Sequence, residues 1–380
     1  LAALARLGVS LDVDAPLKAF PIAQRQIVAI ARALVGEARI VFMDEPTASL
    51  TQSETDNLLA IVRNLAASGV AVVFVSHRLA EVLDISSRIT VLRDGRLVGV
   101  YPAEGMTQSR ITELMTGRTF DAQVRAASRQ DRPVVVAVDG LSRPGQFSDI
   151  SFEVRQGETL GITGLLGSGR TELAMTLFGA YRTDAGELRV KGQPVQFSGI
   201  RAAIASGIGY VPEDRLTEGL FLERSIGDNI VIAQIDQMVA RGLLDRRRKD
   251  ESAAEWVRDL KIATPDPENA ANTLSGGNQQ RIVLAKWLAT KPDILILNGP
   301  TVGVDIGSKH DIHEILRDLA RSGMAVIIIS DDIPEVIQNC NRVLLMKSGR
   351  ITDEIDPGTV TEHQLAELMT GESDQEGSAQ

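Results

Sequence analysis

A glycine-rich loop near the middle of the chain could bind phosphate. Residues 158–163 form a strand-like run, and a helical pattern that extends to Gly179 follows the loop. Strand, glycine loop and helix in this order predict a phosphate site, because glycines let backbone N–H groups approach a pyrophosphate at the N-terminus of the helix. The loop residues that we expect to contact nucleotide are Gly164, Gly167, Ser168, Gly169, Arg170 and Thr171.

One position of this loop departs from the usual pattern. The motif calls for Lys where the chain has Arg170. Arg keeps the positive charge, but its planar fork is bulkier than an ammonium group. The loop therefore predicts phosphate binding without normal turnover.

Two carboxylates follow a short apolar run in the first part of the chain. Asp44 and Glu45 come directly after the apolar run 38–43, which we expect to form a buried strand, and His77 follows the next apolar run at 70–75. Carboxylates at the carboxyl end of a parallel strand lie where α/β sheets bind ligands. The alternative for the pair is a turn that caps the next helix, and a histidine at a strand end is often structural.

A second glycine motif opens a helical pattern late in the chain. It consists of Leu274, Ser275, Gly276, Gly277 and Asn278. A Ser hydroxyl and Gly backbone amides at a helix N-terminus form a nest that attracts phosphate, helped by the helix dipole. The alternative is an ordinary glycine turn before a helix.

The chain contains an internal repeat. Glu113-Leu-Met-Thr-Gly117 returns as Glu367-Leu-Met-Thr-Gly371, and the same offset of 254 positions pairs Glu45-Pro46-Thr47 with Gly299-Pro300-Thr301. From about residue 20 to 117 the copies align without a gap, so the first copy lacks its beginning. The expected organisation is a first copy at 1–117, a linker at 118–133, a second copy at 134–371 and a polar tail at 372–380.

Composition excludes several classes of protein. The 380 residues are 44% hydrophobic and 24% charged, which is ordinary for a globular chain with ample core. The net charge of −10 argues against nucleic acid as the main partner. A single cysteine excludes an internal disulfide, and no apolar run approaches the length of a membrane helix.

These motifs together resemble those of ATP-binding cassette (ABC) ATPases. The resemblance implies an α/β fold of the P-loop NTPase class, each cassette having a RecA-like core, a helical subdomain and an antiparallel β part. By resemblance to a Walker B motif, Asp44 would hold Mg²⁺, mostly through water, and Glu45 would polarise the attacking water. Thr171, at the end of the glycine loop, would be a metal ligand of the other nucleotide site. His77 would be the switch histidine that senses the γ-phosphate of ATP. Leu274–Asn278 would be the signature that grips the ATP of a facing cassette.

The block Pro212-Glu213-Asp214-Arg215 carries more specific information. It resembles the second cassette of tandem ATPases that power simple-sugar importers, and Glu213 stands where a nucleotide-linked Gln is usual. The resemblance implies ATP hydrolysis coupled to import of a sugar of the ribose, galactose or xylose type. The implied partners are membrane permease subunits and a periplasmic sugar-binding protein. The implied location is the cytoplasmic face of a bacterial inner membrane, peripheral to it.

The offset assigns the departures from the family pattern to one nucleotide site. Asp44, Glu45 and His77 map onto Asn298, Gly299 and Asp331, and the signature maps back onto Phe20–Gln24. Because ABC cassettes pair head to tail, we expect one hydrolytic site with Asp44 and Glu45 and one site that at most holds nucleotide. We expect the missing P-loop upstream of Leu1 and the chain by itself to be inactive.

Two other functions remain compatible with these motifs. One is a soluble tandem ABC ATPase that acts on ribosomes or DNA, against which the short linker and the degraded site argue. The other is a non-hydrolytic regulatory module that binds ATP.

Overall fold

The structure is a computed structural model that divides the chain into two compact units, residues 1–120 and 121–380. It describes residues 2–7, 9, 11–36, 38–47, 50, 52–76, 78–93, 95–117, 131–240 and 242–370. The predicted tail at 372–380, the predicted linker except 131–133, and His77 lie outside the described residues.

The first unit consists of helices that pack beside two small sheets. Its elements in chain order are α1 (Ala2–Arg6), α2 (Ile22–Leu34), β1 (Ile40–Asp44), α3 (Gln52–Ala67), β2 (Ala71–Val75), α4 (Leu79–Ile85), β3 (Arg88–Arg93), β4 (Arg96–Pro102) and α5 (Gln108–Thr116). β1 and β2 pair in parallel, and β3 and β4 form an antiparallel hairpin. Helical spacing places Ile30, Ala31 and Leu34 together in the core beside β1.

The second unit is larger and begins with strands. Its elements are β5 (Val134–Arg143), β6 (Phe147–Arg155), β7 (Thr159–Thr163), α6 (Arg170–Leu177), β8 (Ala185–Val190), β9 (Gln193–Val195), α7 (Ile200–Ala205), β10 (Ile208–Val211), α8 (Ile226–Val231), β11 (Val239–Ala240), β12 (Leu243–Leu244), α9 (Arg246–Asp259), α10 (Gly276–Leu288), β13 (Ile294–Asn298), α11 (Ile306–Arg321), β14 (Ala325–Ile329), α12 (Ile333–Asn339), β15 (Arg342–Lys347), β16 (Arg350–Ile355) and α13 (Glu362–Thr370).

A six-stranded sheet positions the chemistry of this unit. Its strand order is β10-β13-β14-β7-β15-β16, parallel from β10 to β15 with an antiparallel edge at β16. Every residue of β7, β13 and β14 is buried, as expected for parallel strands covered on both faces. An antiparallel sheet, β6-β5-β8-β9, and the helices α8 and α9 complete the unit. In the part of the chain that the structure describes, no helix is long and apolar enough to cross a membrane.

The bounds of the elements repeat with the offset found in the sequence. Helices α2 to α5 and strands β1 to β3 begin and end 254 positions before α10 to α13 and β13 to β15. The predicted repeat is therefore present in the backbone as well as in the sequence.

The prediction that β1 is a buried strand was wrong. Burial alternates along β1, and Phe42 is 76% exposed, whereas the equivalent Ile296 of β13 is 1% exposed. The reason is the neighbourhood of the strand: β13 lies between β10 and β14, whereas β1 pairs with β2 alone among the described residues. An apolar run has the capacity to be buried, but neighbouring elements decide whether it is.

Candidate functional site

The glycine loop lies where the sequence places it, between β7 and α6. Gly167 and Gly169 adopt left-handed backbone conformations with φ of +81° and +93°, which an L side chain rarely adopts. A Cβ at Gly169 would lie 2.5 Å from the Gln146 carbonyl oxygen. This tight turn leads directly into the N-terminus of α6. Backbone N–H groups at such a loop and helix N-terminus can bind phosphate.

Arg170 makes an ion pair that the sequence analysis did not predict. Its side chain is buried, donates to the Gly164 carbonyl oxygen, and lies 3.1 Å from a carboxylate oxygen of Asp331. Asp331 follows β14, which pairs directly with β7 in the sheet. Two of the departures from the family pattern are therefore in contact with each other.

Asn298 ends β13 beside the same loop. It is 3% exposed, and its Nδ2 lies 3.4 Å from Thr171 Oγ1 and 3.5 Å from Glu213 Oε2. A hydroxyl and a carboxylate oxygen are ligands that Mg²⁺ accepts. Within the described ranges no group of three or more His, Cys, Asp or Glu side chains could hold a metal ion. The oxygen atoms of Thr171 and Glu213 are donors of a kind that fits a mostly hydrated Mg²⁺.

The turn that follows β1 in the first copy has the same backbone as the turn that follows β13 in the second copy. Glu45 has a φ of +46° and the equivalent Gly299 a φ of +56°. The Glu45 N–H donates to the Val75 carbonyl over 2.8 Å, and the Gly299 N–H donates to the Ile329 carbonyl over 2.8 Å. Asp44 is exposed at the carboxyl end of β1, directly before this turn. The first copy has carboxylate side chains at these two positions and the second copy does not, whereas the backbone of the turn is the same in both.

The signature residues open α10 as predicted. Ser275 is the N-cap residue, is exposed, and accepts a 3.0 Å hydrogen bond from Asn278 Nδ2. Gly277 is buried against α11, and a Cβ there would lie less than 3.0 Å from Ser308. A Cβ at Gly276 would lie 2.8 Å from a guanidinium nitrogen of Arg215 and 3.0 Å from the Gly303 carbonyl oxygen. Close packing therefore requires glycine at Gly277, and it leaves little room for a side chain at Gly276.

Arg215 is a residue whose role the sequence analysis missed. It donates to the carbonyl oxygens of Val302 and Gly303 over 2.6 and 2.8 Å. It thereby ties the Glu213 loop to the loop after Asn298 and to the start of α10. Long-range contacts of this kind leave no spacing signal in a single sequence.

A buried hydroxyl–carboxylate bond occurs in both copies and was also missed. Thr47 Oγ1 donates to Glu81 over 2.6 Å, and Thr301 Oγ1 donates to Glu335 over 2.7 Å. In the second copy His313 Nε2 also contacts Glu335, at 2.9 Å. The offset of 254 relates both pairs, so the repeat shows that these Thr and Glu positions recur but not that they are in contact. The first bond joins the turn after β1 to α4, and the second joins the turn after β13 to α12.

Known proteins share this fold. A nucleotide-free ATP-binding cassette from an ABC transporter superposes with a TM-score of 0.52 and 19% identity, over 62% of this chain and 95% of that chain. A dimeric ATP-binding cassette in a post-hydrolysis state, bound to ADP and Pi, gives a TM-score of 0.51 and 20% identity, over 58% of this chain and 98% of that chain. The glycine loop, the parallel sheet and this likeness define a P-loop NTPase of the ABC cassette type.

Sequence comparison narrows the class. The family model described as ABC transporter matches residues 147–302. The ribose import ATP-binding protein RbsA 2 of Streptomyces avermitilis is 44% identical over 370 residues, which are 97% of this chain and 73% of that protein. A putative ribose/galactose/methyl galactoside import ATP-binding protein of Agrobacterium fabrum is 41% identical over 98% of this chain and 74% of that protein. The chain belongs to this family of import ATP-binding proteins of ABC transporters, which couple ATPase activity to transport.

Proposed function

We propose that the chain energises import of a simple sugar by hydrolysing ATP at the cytoplasmic face of a bacterial inner membrane. The observation that carries this proposal is the similarity to ribose and ribose/galactose import ATP-binding proteins along nearly the whole chain. Its partners would be membrane permease subunits and a periplasmic sugar-binding protein. The protein would bind to the permease without spanning the membrane.

We assign the hydrolytic chemistry to carboxylates of the first unit. Asp44 would hold Mg²⁺, Glu45 would polarise the attacking water, and His77 would contact the γ-phosphate. The exposed position of Asp44 at the carboxyl end of β1 supports this assignment, because ligands bind at that edge of parallel sheets. The signature Leu274–Asn278 would supply backbone N–H groups and the Ser275 hydroxyl to an ATP phosphate.

The second unit would bind nucleotide without hydrolysing it. Gly164, Gly167, Ser168, Gly169, Arg170 and Thr171 would contact the phosphates. Thr171 and Glu213 would hold Mg²⁺, since the Asn298 amide carries no negative charge for it. Gly299 has no carboxylate to polarise water, so this site lacks the group on which hydrolysis depends.

The test is uptake and ATP hydrolysis by the full-length gene product in complex with its permease in lipid vesicles. Uptake of labelled ribose, galactose or xylose should require ATP. Glu45→Gln should remove most of the ATPase activity, whereas Asn298→Ala or Arg170→Ala should change it modestly. Glu104→Gln, at an exposed turn of the same unit, is the matched control.

Two results would contradict the proposal. Equal losses from Glu45→Gln and Asn298→Ala would show that the two sites share the chemistry. Absence of uptake of all three sugars, together with co-sedimentation of the protein with ribosomes, would favour the soluble class of tandem ABC ATPases.

A further inference from the structure

We propose that the nucleotide site of the second unit is specific for a nucleoside diphosphate, because the Asp331 carboxylate makes the contact with Arg170 that a γ-phosphate would otherwise make. The inference rests on the proposed function in one respect, namely that the loop 164–171 binds nucleotide. It goes further by assigning the chemical class of the ligand and the residue pair that selects it.

The first observation is how Arg170 is already paired. In a phosphate-binding loop of this type, the cation before Thr171 reaches the β- and γ-phosphates. Here its guanidinium lies 3.1 Å from the Asp331 carboxylate and also donates to the Gly164 carbonyl. The side chain is only 6% exposed, so its partners are fixed by packing. A carboxylate oxygen on a guanidinium replaces the contact that a phosphate oxygen would make.

The second observation is the sign of the charge at the end of β14. The equivalent position in the first copy is His77, and an imidazole can donate a hydrogen bond to a γ-phosphate. Asp331 instead brings a negative charge to that edge of the sheet, and like charges a few ångströms apart repel. The neighbouring cation, Lys309, is engaged by Asp332.

The third observation is that the part of the loop that binds inner phosphates is intact. The left-handed Gly167 and Gly169 lead into the N-terminus of α6. Ser168 is only 5% exposed, and its buried hydroxyl oxygen has no hydrogen-bond partner among the described residues. Buried hydroxyls usually have a partner, so a ligand oxygen at this loop would satisfy it.

The fourth observation concerns Gly299, the position of the missing glutamate. A Cβ there would lie 2.8 Å from Val302 Cγ2 and 3.1 Å from Glu213 Cγ. A side chain at this position would therefore meet both Val302 and Glu213, and the site has adapted to the absence of the glutamate.

The experiment is an equilibrium titration of the 380-residue chain, whose sequence carries a single loop of this type. Fluorescent ADP is displaced by unlabelled ADP, by ATP, or by a non-hydrolysable ATP analogue, with Mg²⁺ present. ADP should bind about ten-fold more tightly than either triphosphate, as expected from one partly screened charge. Asp331→Asn should remove most of this preference by strengthening triphosphate binding, while affinity for ADP changes little.

The variants are chosen so that folding is not at risk. The Asp331 side chain is 59% exposed, and Asp318→Asn, on the exposed face of α11, is the matched control that should keep the ADP preference. Triphosphates that bind as tightly as ADP, or an unchanged preference in Asp331→Asn, would overturn this inference while leaving the proposed function intact. Failure of all three nucleotides to bind would overturn both.

Discussion

Replacing Gly277 by Ala should force α10 and α11 apart at the signature. A Cβ at this position would lie less than 3.0 Å from both the Cβ and the Oγ of Ser308, closer than real Cβ atoms come to a neighbour. The backbone of Gly277 is helical, so space and not conformation is the obstacle. Overpacking of this kind costs about 1–3 kcal/mol. For a unit of this size, that is a fall of about 2–10 °C in the melting midpoint.

Thermal unfolding of the chain, followed by far-UV circular dichroism, measures this effect. Gly307→Ala is the matched control, because a Cβ there would meet only Asp305 Oδ1 at 3.3 Å. Alanine in a helix gains about 0.5–1 kcal/mol over glycine, so the control should melt at or slightly above the wild-type midpoint. Adding Ser308→Gly to Gly277→Ala removes both clashing atoms and should recover part of the loss. A wild-type midpoint for Gly277→Ala, or no recovery in the double variant, would refute the packing argument.

Four further predictions concern polar groups of the second unit. Thr301→Val removes a hydroxyl donor to the buried Glu335 carboxylate and should lower the free energy of unfolding by about 1.5–3 kcal/mol in urea titrations. Burial raises the pKa of Glu335, but hydrogen bonds from His313, Ser330 and Thr301 outweigh it and lower the net pKa. The stabilisation of the fold by ionised Glu335 should therefore be present above about pH 4.5 and be lost as pH falls further. Glu335→Gln should not show this pH dependence. Burial lowers the pKa of Lys286 to about 8, so stability measured in urea should rise between about pH 8 and 10.5, and Lys286→Met should remove this slope. Arg215→Lys keeps the charge but loses the planar guanidinium that binds two carbonyl oxygens. Amide exchange at 302–305 should therefore accelerate in hydrogen-exchange mass spectrometry, and unchanged rates would show that Arg215 does not stabilise this loop.

The sequence was enough to predict the elements, because local patterns and the repeat set them. Helices α2 and α3 recur as α10 and α11 at the offset of 254 positions that the sequence repeat predicts. Burial was less predictable: β1 and β13 are equally apolar, yet Phe42 is exposed and Ile296 is not. Periodicity describes one strand at a time, whereas burial depends on what packs beside it.

The candidate site was predictable as a set of positions but not as a set of contacts. The motif spacing identified Arg170 and Asp331 separately, and we interpreted each as a departure that impairs ATP hydrolysis at this nucleotide site. The structure places them 3.1 Å apart, and this pairing depends on β14 lying next to β7. Which strands are neighbours in a parallel sheet is decided by crossover connections, and two residues about 160 positions apart show no such relation in a single sequence.

The pattern of backbone strain argues that the two copies differ for a functional reason. A non-glycine residue with positive φ costs roughly 1–2 kcal/mol, and Glu45 has this conformation in the first copy. Such a conformation persists where the side chain is needed, since glycine would relieve the cost. The second copy has that relief at Gly299, with the same turn and the same backbone hydrogen bond. Together with the mutual pairing of Arg170 and Asp331, this favours a nucleotide site reshaped to hold its ligand over one that has simply decayed, since decay would leave unpaired buried charge rather than a matched ion pair.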